Sequence, residues 1–324
     1  MVTGASTPLG EHLVRMLLQD SRVGHVLAVV GEDPTHYPVS SGDPERLSVY
    51  RVDMEKDRRV RNLLFGAARE HRIHTIAHLA QHRSAWAEGS RVHAFNVDAL
   101  RAILELAERH PTIRRLVLRS DAAVYQVQRD LPVLIGEDHP LNLHGDSPQW
   151  IRDRVEADVM ACARTGMGPL EIAVLRMTEL LAPGTGSQLY DYLESPVCLR
   201  PAGYDPMMNV LTIEDAASAL QKAIHSSAQG VFNIPGADTL PLTTCIRAWG
   251  RLGLPIPGSW MTPLYRLRRR FTGHDFRYGM NRRRFHYSGV LDGSRAREVL
   301  RYVPSQPVAW PGATVGEADR ESGE

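Results

Sequence analysis

The sequence predicts an α/β fold: a doubly wound parallel sheet covered by helices on both faces, with a smaller C-terminal lobe. Three observations predict it. Apolar runs of strand length alternate with segments of helical periodicity through the first half of the chain. Several of those runs, "HVLAVV" and "LEIAVLRM" among them, are apolar almost throughout, as strands buried on both faces are. A glycine-bearing turn, "VTGASTPLG", joins the first strand to the first helix.

The elements follow in order. After the turn, "GEHLVRMLLQD" places apolar residues at helical spacing, and Thr7 followed by Pro8 makes a cap and a first-turn proline. "HVLAVV" and "LSVY" to "RVD" are the next strands, and "RRVRNLLFGAAREH" is a helix with a polar face. "HTIAHLA" is a strand, "RVHAFNVDALRAILELAERH" a long amphipathic helix, and "RRLVLRS" a strand. "WIRDRVEADVMACAR" and "LEIAVLRM" close the regular half as helix and strand. Right-handed crossovers then wind the sheet in both directions.

Beyond about residue 180 the pattern loosens into the Gly/Pro-rich loops "APGTGSQ" and "RPAGYDPMMN". "IEDAASALQKAI" is a helix with Glu214 and Asp215 at its positive end. "GVFNIPG" is a strand, and "PLTTCIRAWGRLG" and "GSRAREVLRY" are helices. The expected division is a nucleotide-type domain over residues 1–180, to which 205–235 return. A second lobe takes 181–204 and 236–308, and a polar, disordered tail takes 309–324. Only "MVT" precedes the glycine turn, so the first strand is stunted, which leaves room for residues upstream of Met1.

Composition excludes several classes. The chain has 324 residues, 43% hydrophobic and 23% charged, with a net charge of +1. That balance gives no bulk attraction to nucleic acid or to an anionic membrane. No apolar run approaches the roughly 20 residues of a spanning helix, and the N-terminus lacks the basic and apolar regions of a signal peptide. A cytoplasmic protein with no membrane partner is expected. Cys162, Cys198 and Cys245 lie far apart without metal-ligand spacing, so no metal is expected. Lys56 and Lys222 are the only lysines.

The motifs carry a resemblance. "TGASTPLG" resembles TGxxGxxG, followed by "DM" after the third strand, "HLA" after the fourth, "SDAAVYQ" after the fifth and "LRMTELLAPG" after the sixth. "NVLTIEDAASAL" and "VFNIPG" continue the series in the same order. Over roughly residues 1 to 305 the chain resembles an extended short-chain dehydrogenase/reductase of the NAD-dependent epimerase/dehydratase family. The resemblance implies a Rossmann-type sheet with a substrate-type lobe and a bound NAD or NADP. It places Gly4, Thr7, Pro8, Leu9 and Gly10 at the pyrophosphate, Glu32 near the adenosine ribose, and Asp53 and Met54 at the adenine. Leu79, Ala80, Asn96 and Arg154 would lie along the rest of the cofactor. A carboxylate at Glu32, with no arginine in that turn, favours NAD. Thr7 departs from the family by replacing the middle glycine, whose missing Cβ lets phosphate approach the backbone.

The larger departure is at the catalytic end. The family uses a tyrosine as acid/base, a lysine one helical turn later, and a serine or threonine after the fifth strand. Those positions hold Trp150, Arg154 and Asp121. The loss does not depend on the alignment, because Val52 and Ser218 stand four residues before the two lysines. An indole has no usable proton to exchange, and a guanidinium stays charged. An Asp121–Arg154 ion pair closing the old pocket is expected. Tyr125, His144, Asp146 and Glu179 are other acid/base candidates that the sequence leaves open.

The stretch "YRLRRRF" to "NRRRFHY", residues 265 to 287, is basic and bears aromatic residues. It reads as a solvated arginine-rich segment, as a nucleotide-sugar diphosphate site or, least, as a nucleic-acid surface. Two functions stay open: an NAD(P)-binding protein without the usual chemistry, and an active enzyme on a nucleotide sugar or similar carbonyl/hydroxyl substrate with a rebuilt centre. A third, a fold that no longer binds dinucleotide, follows if Thr7 and the short first strand abolish the site. A homodimer through the "NVDALRAILELAERH" and "WIRDRVEADVMACAR" helices is implied by the resemblance alone.

Overall fold

The computed structural model describes residues 1–31, 45–273 and 275–312. Its first half alternates as the periodicity predicts: β1 (Val2–Thr3), α1 (Pro8–Gln19), β2 (Val26–Val30), β3 (Leu47–Arg51), α2 (Asp57–Leu63), β4 (Thr75–His78), α3 (Ser90–His93), α4 (Ala99–Ala107) and β5 (Arg115–Asp121). A π turn at Ala94–Asp98 joins α3 to α4, so the two form the single long helix read from the sequence. Next come β6 (Leu134–Ile135), α5 (Gln149–Cys162), β7 (Glu171–Met177), β8 (Glu179–Leu180), α6 (Gln188–Leu193), β9 (Val197–Pro201), β10 (Met207–Leu211), α7 (Ile213–His225) and β11 (Gly230–Ile234). The chain continues through β12 (Asp238–Pro241), α8 (Leu242–Ala248), β13 (Leu252–Ile256), α9 (Gly258–Thr272), α10 (Tyr278–Asn281), β14 (Val290–Leu291) and α11 (Ser294–Leu300).

The main sheet runs β11-β7-β5-β4-β1-β2-β3, with every pairing parallel. Its order reverses between β1 and β4, which opens a crevice above their carboxyl ends. Neighbouring residues of one strand feed opposite cores, the consequence of a two-residue side-chain period. Ala28 and Val117 face the layer that holds Leu13 and Leu17 of α1 and Leu220 of α7. Leu27 and Leu116 face the layer that holds Val60 of α2 and Leu100 and Leu104 of α4. Each such fully buried Leu contributes about 1.5–3 kcal/mol.

A separate core holds the remaining elements. Tyr192 of α6 meets Phe285 with ring centroids 4.9 Å apart, and Tyr265 of α9 meets Phe276 at 4.8 Å. β10 pairs with β8 and β12 in a second sheet, while α7 packs on α1 and β11 edges the main sheet. Among the described residues no helix is long and apolar enough to cross a membrane, and no cluster of three metal-ligating side chains occurs.

Because β1 spans two residues, its neighbours run past it at the amino edge of the sheet. A cavity of about 490 Å³ lies there between Gly24–Val26 and Ile73–Thr75, under Met1. The Met1 amine donates to the Thr75 carbonyl at 2.8 Å, and burial pulls its pKa down to about 5.

His78 ends β4 inside the fold, with Nδ1 2.8 Å from Thr3 Oγ1. Burial lowers its pKa to about 4. Between that value and the ordinary 6.5, the unfolded chain binds the proton and the folded chain does not. Stability is therefore lost as pH falls from 6.5 towards 4, at about 1.4 kcal/mol per unit. Urea unfolding across this window should show the slope, and His78→Gln should flatten it; an unchanged slope would exclude His78 as its source.

Candidate functional site

The site begins at the turn from β1 to α1. Gly4 has a φ of +67°, and a Cβ there would stand 2.9 Å from the Ala80 amide nitrogen. A Cβ on Gly10 would fall 2.2 Å from the Gly4 carbonyl oxygen. Both glycines are thus required by the packing of backbone on backbone. Thr7 caps the helix as its sequence context predicts: Oγ1 accepts from the Gly10 amide at 3.1 Å and donates to the Gly4 carbonyl at 2.8 Å. Pro8 brings no N–H, and Gly10 is committed to the cap. Among the described residues this leaves Leu9 as the first-turn amide without a partner. The positive end of α1 is present, with fewer free amides than an all-glycine turn would offer.

A groove of about 550 Å³ opens over this turn, at the β1/β4 switch point. Gly4, Thr7, Val52, Met54 and Ala80 line one part of it, and Arg83, Gly184, Asp191 and Asp275 another. Of the other candidates, Leu9 and Leu79 are buried in the core behind the groove. Asn96 is buried too: its carboxamide accepts from the His82 amide at 2.8 Å and donates to Asp153 at 3.0 Å, bracing the loop after β4 against α5. The Asp53 carboxylate is held by Lys56 at 2.9 Å and by the Glu55 amide at 3.0 Å. The Lys56 contact, more than any other, keeps its pKa below the usual carboxylate range. Glu32 lies outside the described residues.

Asp121, Trp150 and Arg154, which the resemblance sets at the catalytic positions, lie near one another. Asp121 ends β5 and accepts from the Ala123 amide at 2.8 Å. Arg154 lies one turn after Trp150 on α5, with its guanidinium carbon 3.3 Å from the indole centroid. Its Nε is 3.7 Å from an Asp121 carboxylate oxygen, so the expected ion pair is present, longer than a hydrogen bond. The other nitrogens donate to the Trp150 carbonyl at 3.2 Å and the His82 carbonyl at 3.4 Å. Burial lowers the Arg154 pKa to about 9, with Asp121 opposing the shift, so the group stays charged at neutral pH. The Trp150 indole donates to the Arg83 carbonyl at 3.4 Å. Trp150 and Arg154 therefore grip the His82–Arg83 backbone from behind, and the loop they hold forms the groove wall.

The other acid/base candidates are placed as follows. Tyr125 is buried, donates to Asn233 at 2.7 Å, and is pushed up to about 12 by burial. Glu179 is tied to Arg284 at 2.7 Å and accepts from Ser187 at 2.9 Å. His144 contacts the Gln126 side chain at 3.2 Å, and Asp146 is exposed.

Arg83 and Asp191 are among the groove residues that sequence reasoning missed. Arg83 reaches across to donate to the Gly184 carbonyl at 3.1 Å, which closes the loop after β8 over the mouth of α1. Asp191 on α6 has no side-chain partner among the described residues, and burial, then Asp275, raises its pKa to about 7. Neither lies in a motif. The signal available was only position: a loop after β4 and a helix after a glycine-rich loop.

A glycine turn under a groove at the switch point is the arrangement of dinucleotide-fold α/β proteins. The chain belongs to the NAD dependent epimerase/dehydratase family, which it matches over residues 1–234. An uncharacterised protein of Mycobacterium tuberculosis (strain ATCC 25618 / H37Rv) is 27% identical over 310 residues, covering 94% of this chain and 79% of that one. A Mycobacterium bovis protein, also uncharacterised, matches equally. Among solved structures, dTDP-glucose 4,6-dehydratase from Bacillus anthracis in complex with NAD is 18% identical, with a TM-score of 0.69 over 99% of this chain and 96% of that one. UDP-glucose 4-epimerase from Thermotoga maritima with UDP-glucose is 17% identical, with a TM-score of 0.67 over 100% and 99%. UDP-glucuronic acid 4-epimerase from Bacillus cereus, with UDP-glucuronic acid and NAD, is 18% identical, with a TM-score of 0.68 over 94% of each chain. These likenesses establish the fold.

Proposed function

We propose that this chain binds NAD in the switch-point groove and has given up the family's tyrosine–lysine proton transfer. One observation carries the reading. The position one turn before Arg154 holds a buried indole, and Arg154 itself is stacked on that indole and engaged with backbone carbonyls. Neither side chain exchanges a proton at neutral pH. In this proposal Gly4 and the Leu9 amide hold the pyrophosphate, with Thr7, Pro8 and Gly10 shaping the turn. The Arg83 guanidinium supplies positive charge beside it. Met54 and Ala80 line the groove for the dinucleotide, with Asp53, Leu79 and Asn96 behind it. Arg154 acts by positioning the His82–Arg83 loop. A bound nicotinamide would supply a hydride acceptor. A nucleotide-sugar-like second ligand and a homodimer across α4 and α5 complete the reading, on the family likeness.

Calorimetric titration with NAD, NADH, NADP and NADPH tests it, followed by assay of hydride exchange with UDP-glucose, UDP-glucuronic acid and dTDP-glucose. Saturable NAD binding without turnover is expected. Binding of none of the four, or turnover of any sugar, overturns it.

A second reading rests on Asp191. Its carboxyl lines the same groove without a partner and titrates near pH 7, where an acid/base group works best. Under this reading the protein is an oxidoreductase with a rebuilt centre. Turnover that Asp191→Asn removes would favour it.

A further inference from the structure

The basic stretch read from the sequence begins inside α9, a 15-residue helix about 22 Å long, and continues through α10. Met261 and Tyr265 bury one side of it against the lobe. The other side is open. Trp260 is 63% exposed, Leu267 55% and Phe271 79%, and Pro263 is exposed with them. Spaced by three, four and four residues, these four share one face, a stripe about 80° wide. Arg266 and Arg270 are exposed along the edge of that stripe, and the helix carries no acidic residue. From 258 to 287 the chain has eight arginines and one acid, Asp275. A net charge of +1 over the whole chain conceals this concentration.

We propose that α9 docks the protein on the surface of an anionic phospholipid bilayer. An apolar stripe with a tryptophan and a phenylalanine at its two ends, bordered by arginines, is the pattern of a helix lying in the headgroup plane. The arginines reach lipid phosphates while their stems follow the apolar face. Charge complementarity selects this occupant. A two-fold contact with a second copy would set one arginine-rich face against another. A nucleic-acid backbone would leave the central apolar stripe without a role. The helix also adjoins the groove. Arg269 lies 4.2 Å from the ring centroid of Trp86, and Asp275, just beyond the helix, accepts from Ser84 at 2.7 Å. Ser84 and Asp275 both line the groove, which α9 meets from the side of Arg269, opposite its apolar stripe.

Sedimentation of the full chain with sucrose-loaded vesicles tests the proposal. The vesicles are phosphatidylcholine alone, or phosphatidylcholine mixed with phosphatidylglycerol, at low and high salt. Binding to the mixed vesicles is expected, weakened by salt. Leu267→Glu with Phe271→Glu should lower it at least about tenfold, as should Arg266→Glu with Arg270→Glu. These positions are exposed, so thermal unfolding should be unchanged, which keeps the comparison clean. The proposal is overturned if the wild-type chain stays in the supernatant with both vesicles or if the variants bind as well as wild type. It is equally overturned if light scattering shows that the variants break a dimer without altering vesicle binding.

Discussion

Asp158→Ala is expected to cost about 3–5 kcal/mol of folding stability, the loss seen when one partner of a buried ion pair is removed. Asp158 is fully buried on α5 and holds Arg176 of β7 in a bidentate pair at 2.6 and 3.0 Å. It also accepts from Ser120 at 2.5 Å, tying β5 to the same helix. Arg176 spends its remaining capacity on the Glu137 carbonyl at 3.1 Å and lies 4.8 Å from the Tyr125 ring centroid. Its pKa is raised because the hydrogen bonds and charge of Asp158 outweigh the desolvation that would lower it. Removing the carboxylate strands that cation in the interior. The damage should come from the stranded charge rather than from the lost pair. Asp158→Leu with Arg176→Met should therefore recover most of the stability that Asp158→Ala loses. Urea unfolding of the wild type and both variants measures this; a loss below about 1 kcal/mol in Asp158→Ala would show that solvent reaches the pair.

Much of this architecture was legible. The parallel sheet follows from apolar strands that feed cores on both faces, and the Thr7 cap followed from an oxygen-bearing residue before a proline. The Asp121–Arg154 pairing followed from two positions that the fold brings together. The rest was hidden for physical reasons. α9 contains Pro263, a residue that argues against a helix interior, and most of its large apolar residues are turned to solvent, so the usual inward stripe is thin. Asp191 is an ordinary helix residue until burial and Asp275, far along the chain, act on it. The groove wall is built from residues 80–84, 184–191 and 275, and no local spacing marks such a set. Trp150 and Arg154 were read from the sequence as replacements of the family's pair. That they hold a loop from behind rather than line the groove depends on contacts to the His82 and Arg83 carbonyls, which belong to tertiary structure.

The second large effect concerns those two positions. On the proposed reading, Trp150→Tyr with Arg154→Lys writes the family's pair back into α5, and the expected result is loss without gain. A lysine is a point charge on a flexible stem, so it forfeits the planar stack at 3.3 Å and the paired contacts to the Trp150 and His82 carbonyls. The phenol gives up the indole's contact to the Arg83 carbonyl. Together these changes should cost about 2 kcal/mol and loosen the loop that walls the groove, lowering NAD affinity severalfold. Hydride exchange should not appear, because Asp121 remains beside position 154. A neighbouring carboxylate raises a phenol's pKa and draws the lysine charge to itself, the opposite of what an acid/base tyrosine needs. Adding Asp121→Ser removes that charge and restores a hydroxyl at the exit of β5. The triple variant is where exchange should first emerge, scored by single-turnover reduction of bound NAD in the presence of a nucleotide sugar. Exchange in the double variant would show that Asp121 does not block the site. Exchange in the wild type at the rate of the triple would move the chemistry away from α5 altogether, to a group such as Asp191 on the facing wall of the groove.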